Sequence, residues 1–179
     1  VLSSKLNKLL NITEENEAEN KIAIVIPARN EEESLPEILR DIRALSLKGF
    51  IVKVFVVDDG SKDNTFFVAQ DNGAEVTRHP VSLGVGGALK TGYLIAKEWG
   101  ADIIVQLDAD GEHDPADIPR FLDIILNEDV DKVIGSRFLD GCPSSLSLTR
   151  RIGIRFFTWL VNKLTGYKLT DITSGYRAF

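Results

Sequence analysis

Three acidic residues, Asp108, Asp110 and Glu112, stand at alternate positions directly after a strongly apolar stretch. In an extended segment alternate side chains point the same way, so the three carboxylates are expected to lie on one side. They would repel one another without a cation, and Mg²⁺ or Mn²⁺ prefers oxygen ligands of this type. A bound dication could then act as a Lewis acid on diphosphate oxygens. The spacing predicts a divalent metal site, although an Asp-x-Asp pair also occurs in ordinary solvated turns.

Two further polar clusters follow apolar stretches in the same way. Residues 27–31 (Pro-Ala-Arg-Asn-Glu) follow the apolar run 22–26, and residues 58–61 (Asp-Asp-Gly-Ser) follow the run 51–57. Turn chemistry alone could place Asp, Asn and Gly in any one of these clusters. Three such clusters, each after an apolar run, instead predict a shared binding site.

The apolar runs have the pattern of strands buried on both faces, and segments of helical periodicity separate them. Strands are predicted at 22–26, 51–57, 74–77, 103–107 and 130–134. Helices are predicted at 35–45, 63–67, 85–99 and 115–125, the last with Asp114 as its N-cap. This alternation predicts a doubly wound α/β fold with a mostly parallel sheet and helices on both faces. Ligands of such folds bind beyond the carboxyl ends of the strands, which is where the polar clusters fall.

A glycine-rich segment, residues 83–90, opens the third predicted helix. Its backbone N–H groups could face a phosphate, with Lys90 one turn further along. The segment fits neither the Walker pattern nor the dinucleotide-binding fingerprint. A purely structural use of its glycines, in close packing of the helix, is equally compatible with the sequence.

Residues 149–164 form an amphipathic pattern. One face carries Arg151, Arg155, Thr158 and Asn162, and the other carries Phe156, Phe157, Leu160, Val161 and Leu164. No acidic residue occurs between Gly141 and Thr170. The commoner arrangement is a helix packed on the sheet with its basic side in water. The alternative is a helix at a membrane surface, with basic residues at anionic head groups and Trp159 at the boundary.

The composition limits the class of protein. The 179 residues are 44% hydrophobic and 27% charged, as in a soluble domain. We divide the chain into a solvated leader, residues 1–20, and one catalytic domain, residues 21–179, whose continuation beyond Phe179 is left open. The net charge of −6 argues against nucleic-acid binding, and the single cysteine, Cys142, cannot form an intramolecular disulfide. The single cysteine gives no sign of a secreted, disulfide-linked protein, so a reducing cytoplasm is expected. No apolar run reaches the roughly 18 residues that span a bilayer, so any membrane contact of this segment is expected to be peripheral.

Taken together, the motifs resemble glycosyltransferase family 2, and within it the dolichol-phosphate mannose synthase-like or polyprenyl-phosphate glycosyltransferase group. The resemblance extends from about Lys21 to Phe179. Five segments carry it, in the order 24–32, 56–63, 106–113, 133–137 and 171–177.

The resemblance implies a GT-A fold and a role for each motif. Residues that would hold the nucleobase and ribose of a nucleotide-sugar donor are Pro27, Arg29 and Glu31, with Asp58 or Asp59. Asp108, Asp110 and Glu112 would bind the metal, Arg137 would face the phosphates, and Arg150, Arg151 and Arg177 are candidates for the acceptor phosphate or the donor diphosphate. The group more often carries Gln where this chain has Glu112. The extra negative charge must be offset by arginines and Lys90.

The expected reaction is transfer of a sugar from a UDP- or GDP-sugar to a polyprenyl or dolichyl phosphate, with inversion, at the cytoplasmic face of a membrane. The predicted catalytic residues are Asp110, Arg137 and Asp171. A phosphate monoester, with its second pKa at about 6, needs no general base. A hydroxyl acceptor would need one, and Asp171 is then the candidate.

Three alternative functions are also compatible with the sequence. The acceptor could be a saccharide or other hydroxyl in cell-envelope polysaccharide synthesis. The chain could be a hydrolase or phosphotransferase with Asp58 or Asp108 as nucleophile. It could also be a non-catalytic nucleotide-binding or scaffold domain, in which the carboxylates only solvate an edge of the sheet.

Overall fold

One six-stranded sheet forms the centre of the protein, in the strand order β3-β2-β1-β4-β6-β5. The computed structural model describes residues 20–136, 138 and 148–179, without the side chains of Leu148, Arg150 and Arg151. The strands are β1 (Asn20–Ala28), β2 (Phe50–Asp58), β3 (Glu75–Arg78), β4 (Ile103–Gln106), β5 (Val133–Ile134) and β6 (Arg177–Ala178). Strand β1 pairs in parallel with β2 and β4, and β2 pairs in parallel with β3. Strand β6 runs antiparallel to both β4 and β5.

Helices cover both faces of this sheet. They are α1 (Leu35–Ala44), α2 (Thr65–Asp71), α3 (Val85–Trp99), α4 (Ile118–Asn127) and α5 (Leu148–Thr165), and a 3₁₀ turn (Pro115–Asp117) precedes α4. Asp114 caps this 3₁₀ turn, since its side chain accepts a hydrogen bond from the Ala116 N–H at 2.8 Å, whereas the N-cap of α4 itself is Asp117. In the described part of the chain, no helix combines the length and the apolar character needed to cross a membrane.

The continuous apolar run of β1 is explained by burial on both faces. Ile22, Ile24 and Ile26 are fully buried in a cluster that includes residues of α1 and α4. Ala23 and Val25 point to the opposite face and pack in a second cluster with residues of α3. The alternation follows from the two-residue period of a strand. The doubly wound, mostly parallel sheet predicted from the sequence is therefore confirmed.

Helix α3 lies unusually close to the sheet at Gly92. A Cβ atom at this position would overlap the Val25 side chain, so only glycine permits this approach. Gly86 has open space around its Cα, and a Cβ on Gly87 would meet only Leu83 of the preceding turn. The glycine that permits close packing of this helix on the sheet is therefore Gly92, which lies just after the segment 83–90.

Strand β6 was not predicted from the sequence. It has only two residues, Arg177 and Ala178, and no apolar run marks it. It forms because β4 and β5 offer it antiparallel partners on both sides, and Gln106 pairs with Arg177 across the β4–β6 ladder. This strand brings the motif 171–177 to the centre of the sheet edge.

Candidate functional site

The loops after β1 and β2 are joined by hydrogen bonds at the carboxyl edge of the sheet. The Asn30 N–H donates to Ser61 Oγ at 2.9 Å, and Asn30 Oδ1 accepts from the Lys62 N–H at 2.9 Å. The Glu31 N–H donates to Thr65 Oγ1 at 2.8 Å. Asn30 adopts a positive φ of 56°, which Asn tolerates better than most residues. Two of the predicted polar clusters thus form one connected wall.

Asp58 is fully buried at the end of β2, and its two carboxylate oxygens have different partners. Its Oδ1 accepts from the Ser61 N–H at 2.8 Å. Arg78 Nε lies 3.2 Å from Oδ2, near enough for an ion pair but out of line for a hydrogen bond. Among the described residues, Oδ2 therefore has no hydrogen-bond partner. A buried carboxylate oxygen in this state is suited to accept a hydrogen bond from a ligand.

Asp59 has the opposite character, since both of its oxygens are used inside the protein. Oδ1 accepts from His79 Nδ1 and from the Leu83 N–H, each at 2.8 Å. Oδ2 accepts from Ser82 Oγ at 2.6 Å and from the Gly84 N–H at 2.9 Å. Burial alone would raise the pKa of Asp59, but these hydrogen bonds outweigh it and hold the pKa well below its usual value. Where the sequence left Asp58 and Asp59 as alternatives, the structure makes Asp59 an internal anchor.

The anchor extends to helix α3 through His79. His79 Nε2 lies within hydrogen-bonding distance of the Thr91 hydroxyl, at 3.0 Å. The first N–H groups of the glycine-rich segment, those of Leu83 and Gly84, are thus directed at Asp59 and not at a ligand. The N–H groups in the first turn of α3 have no intrahelical acceptor. Lys90 is exposed one turn further along.

Asp108 follows β4 and is partly buried, with 30% of its side chain exposed. Burial raises the pKa of Asp108, Asp110 and Glu112 raise it further, and His113 and Arg177 oppose the rise. His113 Nε2 lies 3.8 Å from Asp108 Oδ2. The repulsion inferred from the sequence is therefore present at Asp108.

The three carboxylates do not converge as the alternation predicted. No group of three His, Cys, Asp or Glu side chains within the described ranges is arranged to hold a metal ion. The reason is that residues 109–112 form a turn instead of an extended segment. Gly111 has a φ of 75°, and Asp110 Oδ1 accepts from the Glu112 N–H at 3.0 Å.

The chemistry of the acidic turn nevertheless fits a divalent metal. Burial and the acidic neighbours raise the pKa of Asp108 because they disfavour its charged form. A bound cation would offset this repulsion. Asp110 is exposed beside it, and carboxylate oxygens are the ligands that Mg²⁺ and Mn²⁺ prefer. Asp108 and Asp110 are thus the better supported ligands of the predicted three.

The motif 171–177 packs directly against the acidic turn. A Cβ atom on Gly175 would overlap the Asp108 carboxylate, so the absence of a side chain there makes room for Asp108. Arg177 Nε donates to the Ser174 carbonyl at 2.8 Å, and its charge acts on Asp108. Asp171 is 2% exposed and accepts from the Thr173 N–H at 3.0 Å and from Thr173 Oγ1 at 2.9 Å.

The remaining predicted residues differ in how the structure places them. Pro27 is buried in β1, Arg29 is exposed, and the Glu31 carboxylate accepts from Ser34 Oγ at 2.6 Å. Arg137 lies outside the described residues, as do the side chains of Arg150 and Arg151 in α5.

Sequence reasoning did not single out two residues, one that contacts Asp58 and one that contacts Gln106 in the motif 106–113. Arg78 ends β3, so the rule that ligands bind beyond strand ends could have identified it. Tyr93 lies in the middle of α3, where no pattern marks it, and its hydroxyl donates to the Gln106 side chain.

Helix α5 turns its apolar face outward. Ile154 and Thr158 are buried, whereas Phe156, Phe157 and Trp159 are each more than half exposed. Of the two arrangements that the sequence left open, packing of the apolar side on the sheet therefore does not hold for these three residues. The aromatic face of α5, defined as Phe156, Phe157 and Trp159, is an unburied surface.

Known proteins are similar to this chain in both sequence and fold. The chain is 34% identical over 180 residues to a UDP-N-acetylglucosamine–dolichyl-phosphate N-acetylglucosaminyltransferase of Methanococcus voltae, covering 90% of the chain and 70% of that protein. It is 36% identical over 165 residues to an undecaprenyl-phosphate mannosyltransferase of Micrococcus luteus, covering 89% of the chain and 66% of that protein.

A solved glucosyl-3-phosphoglycerate synthase of Mycobacterium tuberculosis, in complex with Mn²⁺, UDP-glucose and phosphoglyceric acid, superimposes with a TM-score of 0.68 at 25% identity. The match covers 90% of this chain and 57% of that chain. This protein therefore spans between about half and about two thirds of the length of the proteins it matches. The fold is the GT-A fold. Because the family model described as glycosyl transferase family 2 matches residues 23–179, the chain belongs to glycosyltransferase family 2.

Proposed function

We propose that this chain forms the donor-binding and catalytic part of an inverting glycosyltransferase that moves a sugar from a nucleotide-sugar to a polyprenyl phosphate. The observation that carries the proposal is the placement of Asp58 and Asp108. Asp58 is the last residue of β2 and Asp108 lies just after β4, and these two strands flank β1, where the strand order reverses. In doubly wound folds this reversal is where nucleotides bind.

Asp58 is proposed to receive the nucleobase. Its buried Oδ2 can accept a single N–H, and the adjacent Arg78 guanidinium can donate to a carbonyl oxygen. Uracil presents one such N–H flanked by carbonyls, whereas guanine presents two neighbouring donors that need two open acceptors. Oδ1 of Asp58 is already used by Ser61. The site therefore favours a UDP-sugar over a GDP-sugar, with Pro27, Arg29 and Glu31 beside the nucleoside.

The acidic turn and a set of basic residues are proposed to bind the diphosphate. A bound Mg²⁺ or Mn²⁺, held by Asp108 and Asp110 with Glu112 next to them, would supply Lewis-acid stabilisation of the leaving group. Arg177, Lys90 and Arg137 provide positive charge that offsets the surplus of carboxylates and the charge of the diphosphate.

The acceptor is proposed to be a phosphate. A phosphate oxygen forms the new bond to the anomeric carbon while the bond from that carbon to the diphosphate breaks, and the nucleoside diphosphate leaves with the bonding electrons. A phosphate that is mostly dianionic at neutral pH needs no base. The burial of Asp171 and its bonds to Thr173 support this acceptor over a hydroxyl, because they describe a turn-holding carboxylate and not an accessible base.

The aromatic face of α5 is proposed to lie at the cytoplasmic surface of the membrane that holds the acceptor lipid. Exposed aromatic side chains favour the boundary between head groups and acyl chains. Arg155 and Lys163 are exposed on the same helix, and the sequence between Gly141 and Thr170 has no acidic residue. This charge is complementary to anionic lipids.

Two measurements test the proposed function. Calorimetry with UDP and GDP, each with and without Mn²⁺, should show metal-dependent binding that is tighter for UDP. A panel of UDP- and GDP-sugars with a short polyprenyl phosphate should show transfer. Failure to bind any nucleotide would support a non-catalytic domain, and phosphate release from simple phosphoesters without sugar transfer would support a hydrolase.

A further inference from the structure

The partly buried Tyr93 and the buried Gln106 form a polar pair beneath the proposed diphosphate site. Gln106 is the last residue of β4 and only 3% exposed, and the Tyr93 hydroxyl from α3 donates to its side-chain oxygen. The Tyr93 ring stands edge-on to Phe179, with 5.3 Å between ring centroids. Gln106 in the sheet therefore holds the hydroxyl of Tyr93, and Phe179 packs against its ring.

The reach of Tyr93 to the sheet depends on the close approach of α3. Gly92, the preceding residue, lies against Val25 where any side chain would overlap it. Val25 and Gln106 are paired across β1 and β4. The same contact that brings the helix backbone to the sheet therefore brings the phenol to Gln106.

Gln106 also faces the motif that carries Arg177. The two residues are direct partners in the antiparallel β4–β6 ladder, where opposed side chains lie on the same face. Arg177 is anchored through Nε to the Ser174 carbonyl. Two positions after Gln106, the chain reaches Asp108, on which Arg177 acts. The pair therefore lies between the helix that carries Lys90 and the groups proposed to meet the diphosphate.

We infer that Tyr93 is a positioning residue for the transfer, which holds the Gln106 amide in one orientation and so fixes Arg177 relative to Asp108. The inference rests on the proposed function. Burial raises the pKa of Tyr93, and Arg177 and Asp108 act on it in opposite directions, which agrees with a protonated phenol close to both charges. Preorganised charge of this kind stabilises a leaving group without reorganisation during the reaction.

The test compares Tyr93→Phe with the double variant Tyr93→Phe/Gln106→Met. The first removes one hydroxyl and leaves the buried Gln106 oxygen without its donor, which should lower both Tm and kcat. The second replaces both polar partners by apolar groups of similar size, which restores stability in such pairs. Turnover of a UDP-sugar with a short polyprenyl phosphate, KM for the donor and thermal unfolding are measured for each. Tyr167→Phe, at an exposed tyrosine, is the control.

The expected result is a kcat about tenfold lower in both variants with KM for the donor nearly unchanged, and a Tm restored in the double variant only. The expected fall in kcat is smaller than the roughly 10²-fold effect of a full 1 Å misplacement, because Arg177 keeps its hydrogen bond to the Ser174 carbonyl. Recovery of both Tm and kcat in the double variant would show a purely structural pair and overturn the inference. Full activity of Tyr93→Phe would overturn it as well. A wild-type chain that transfers no sugar overturns the proposed function, and the inference falls with it.

Discussion

Replacement of Gly175 by Ala is expected to displace the Asp108 carboxylate without unfolding the protein. The added Cβ would overlap Asp108 Oδ2 and lie 2.6 Å from Cγ and 2.8 Å from Oδ1. Ordinary van der Waals contact begins at 3.4 Å, so the carboxylate must retreat by roughly 1 Å. The side chain of Asp108 is 30% exposed and can move towards solvent. Gly175 is also not among the glycines with positive φ, so its backbone accepts alanine.

The size of the effect follows from the distance moved. A displacement of about 1 Å in a group that orients the reacting atoms costs roughly 10²-fold in rate, or about 2.7 kcal/mol of barrier. We expect turnover of Gly175→Ala to fall by about that factor. The Mn²⁺-dependent part of UDP affinity should weaken with it, while Tm changes little.

The assay measures sugar transfer, calorimetric UDP binding with and without Mn²⁺, and thermal unfolding of the same preparations. Gly153→Ala is the matched control, because a Cβ at Gly153 in helix α5 meets nothing within 4 Å. Its turnover should equal that of the wild type. Normal turnover and normal Mn²⁺-dependent binding in Gly175→Ala would refute the assignment of Asp108 as the group that this glycine makes room for.

Three further predictions concern other parts of the molecule. Asp58→Asn should weaken UDP binding about tenfold or more, because the buried acceptor for the base loses its charge, whereas the exposed control Asp71→Asn should bind normally by calorimetry. Asp59→Asn should lower the free energy of unfolding at pH 7 by about 2 kcal/mol. Since the folded pKa of Asp59 is depressed, its stabilisation is present above its ordinary value of 3.8 and is lost as pH falls below it, so in denaturant titrations the difference from wild type should shrink there. Phe156→Asp should reduce sedimentation with anionic vesicles severalfold without changing transfer to a short soluble acceptor, and equal sedimentation would contradict a membrane role for α5.

The architecture could be predicted because burial on both faces leaves a mark in the sequence. The run Ile22–Ile26 is apolar at every position because helices cover both sides of β1, and in β4 Val105 packs in the first of the two core clusters while Ile104 packs against the second. Their position also located the polar clusters at one edge of the sheet. Strand β6 left no such mark, since its two residues are a strand only through their partners.

The details of the site depended on contacts that one sequence does not display. Asp58 and Asp59 are identical in type and adjacent, and only the approach of His79 and the loop before α3 separates their roles. The period of two failed at Asp110 and Glu112 because Gly111 turns the chain. Helical periodicity correctly predicted α5, but it does not indicate which face of the helix packs against the rest of the protein.

The position of β6 in the sheet has a consequence for the order of assembly during synthesis. Within the part of the chain described, β5 joins the sheet only through β6, and Phe179 exchanges two backbone hydrogen bonds with Ile104 at 2.8 and 3.0 Å. The ribosome makes β6 after the five other described strands, so the ladder beside β4 cannot form until residues 177–179 have emerged. A nascent chain can therefore pair β1 with β2, which ends at Asp58, before Arg177 reaches its place beside Gln106.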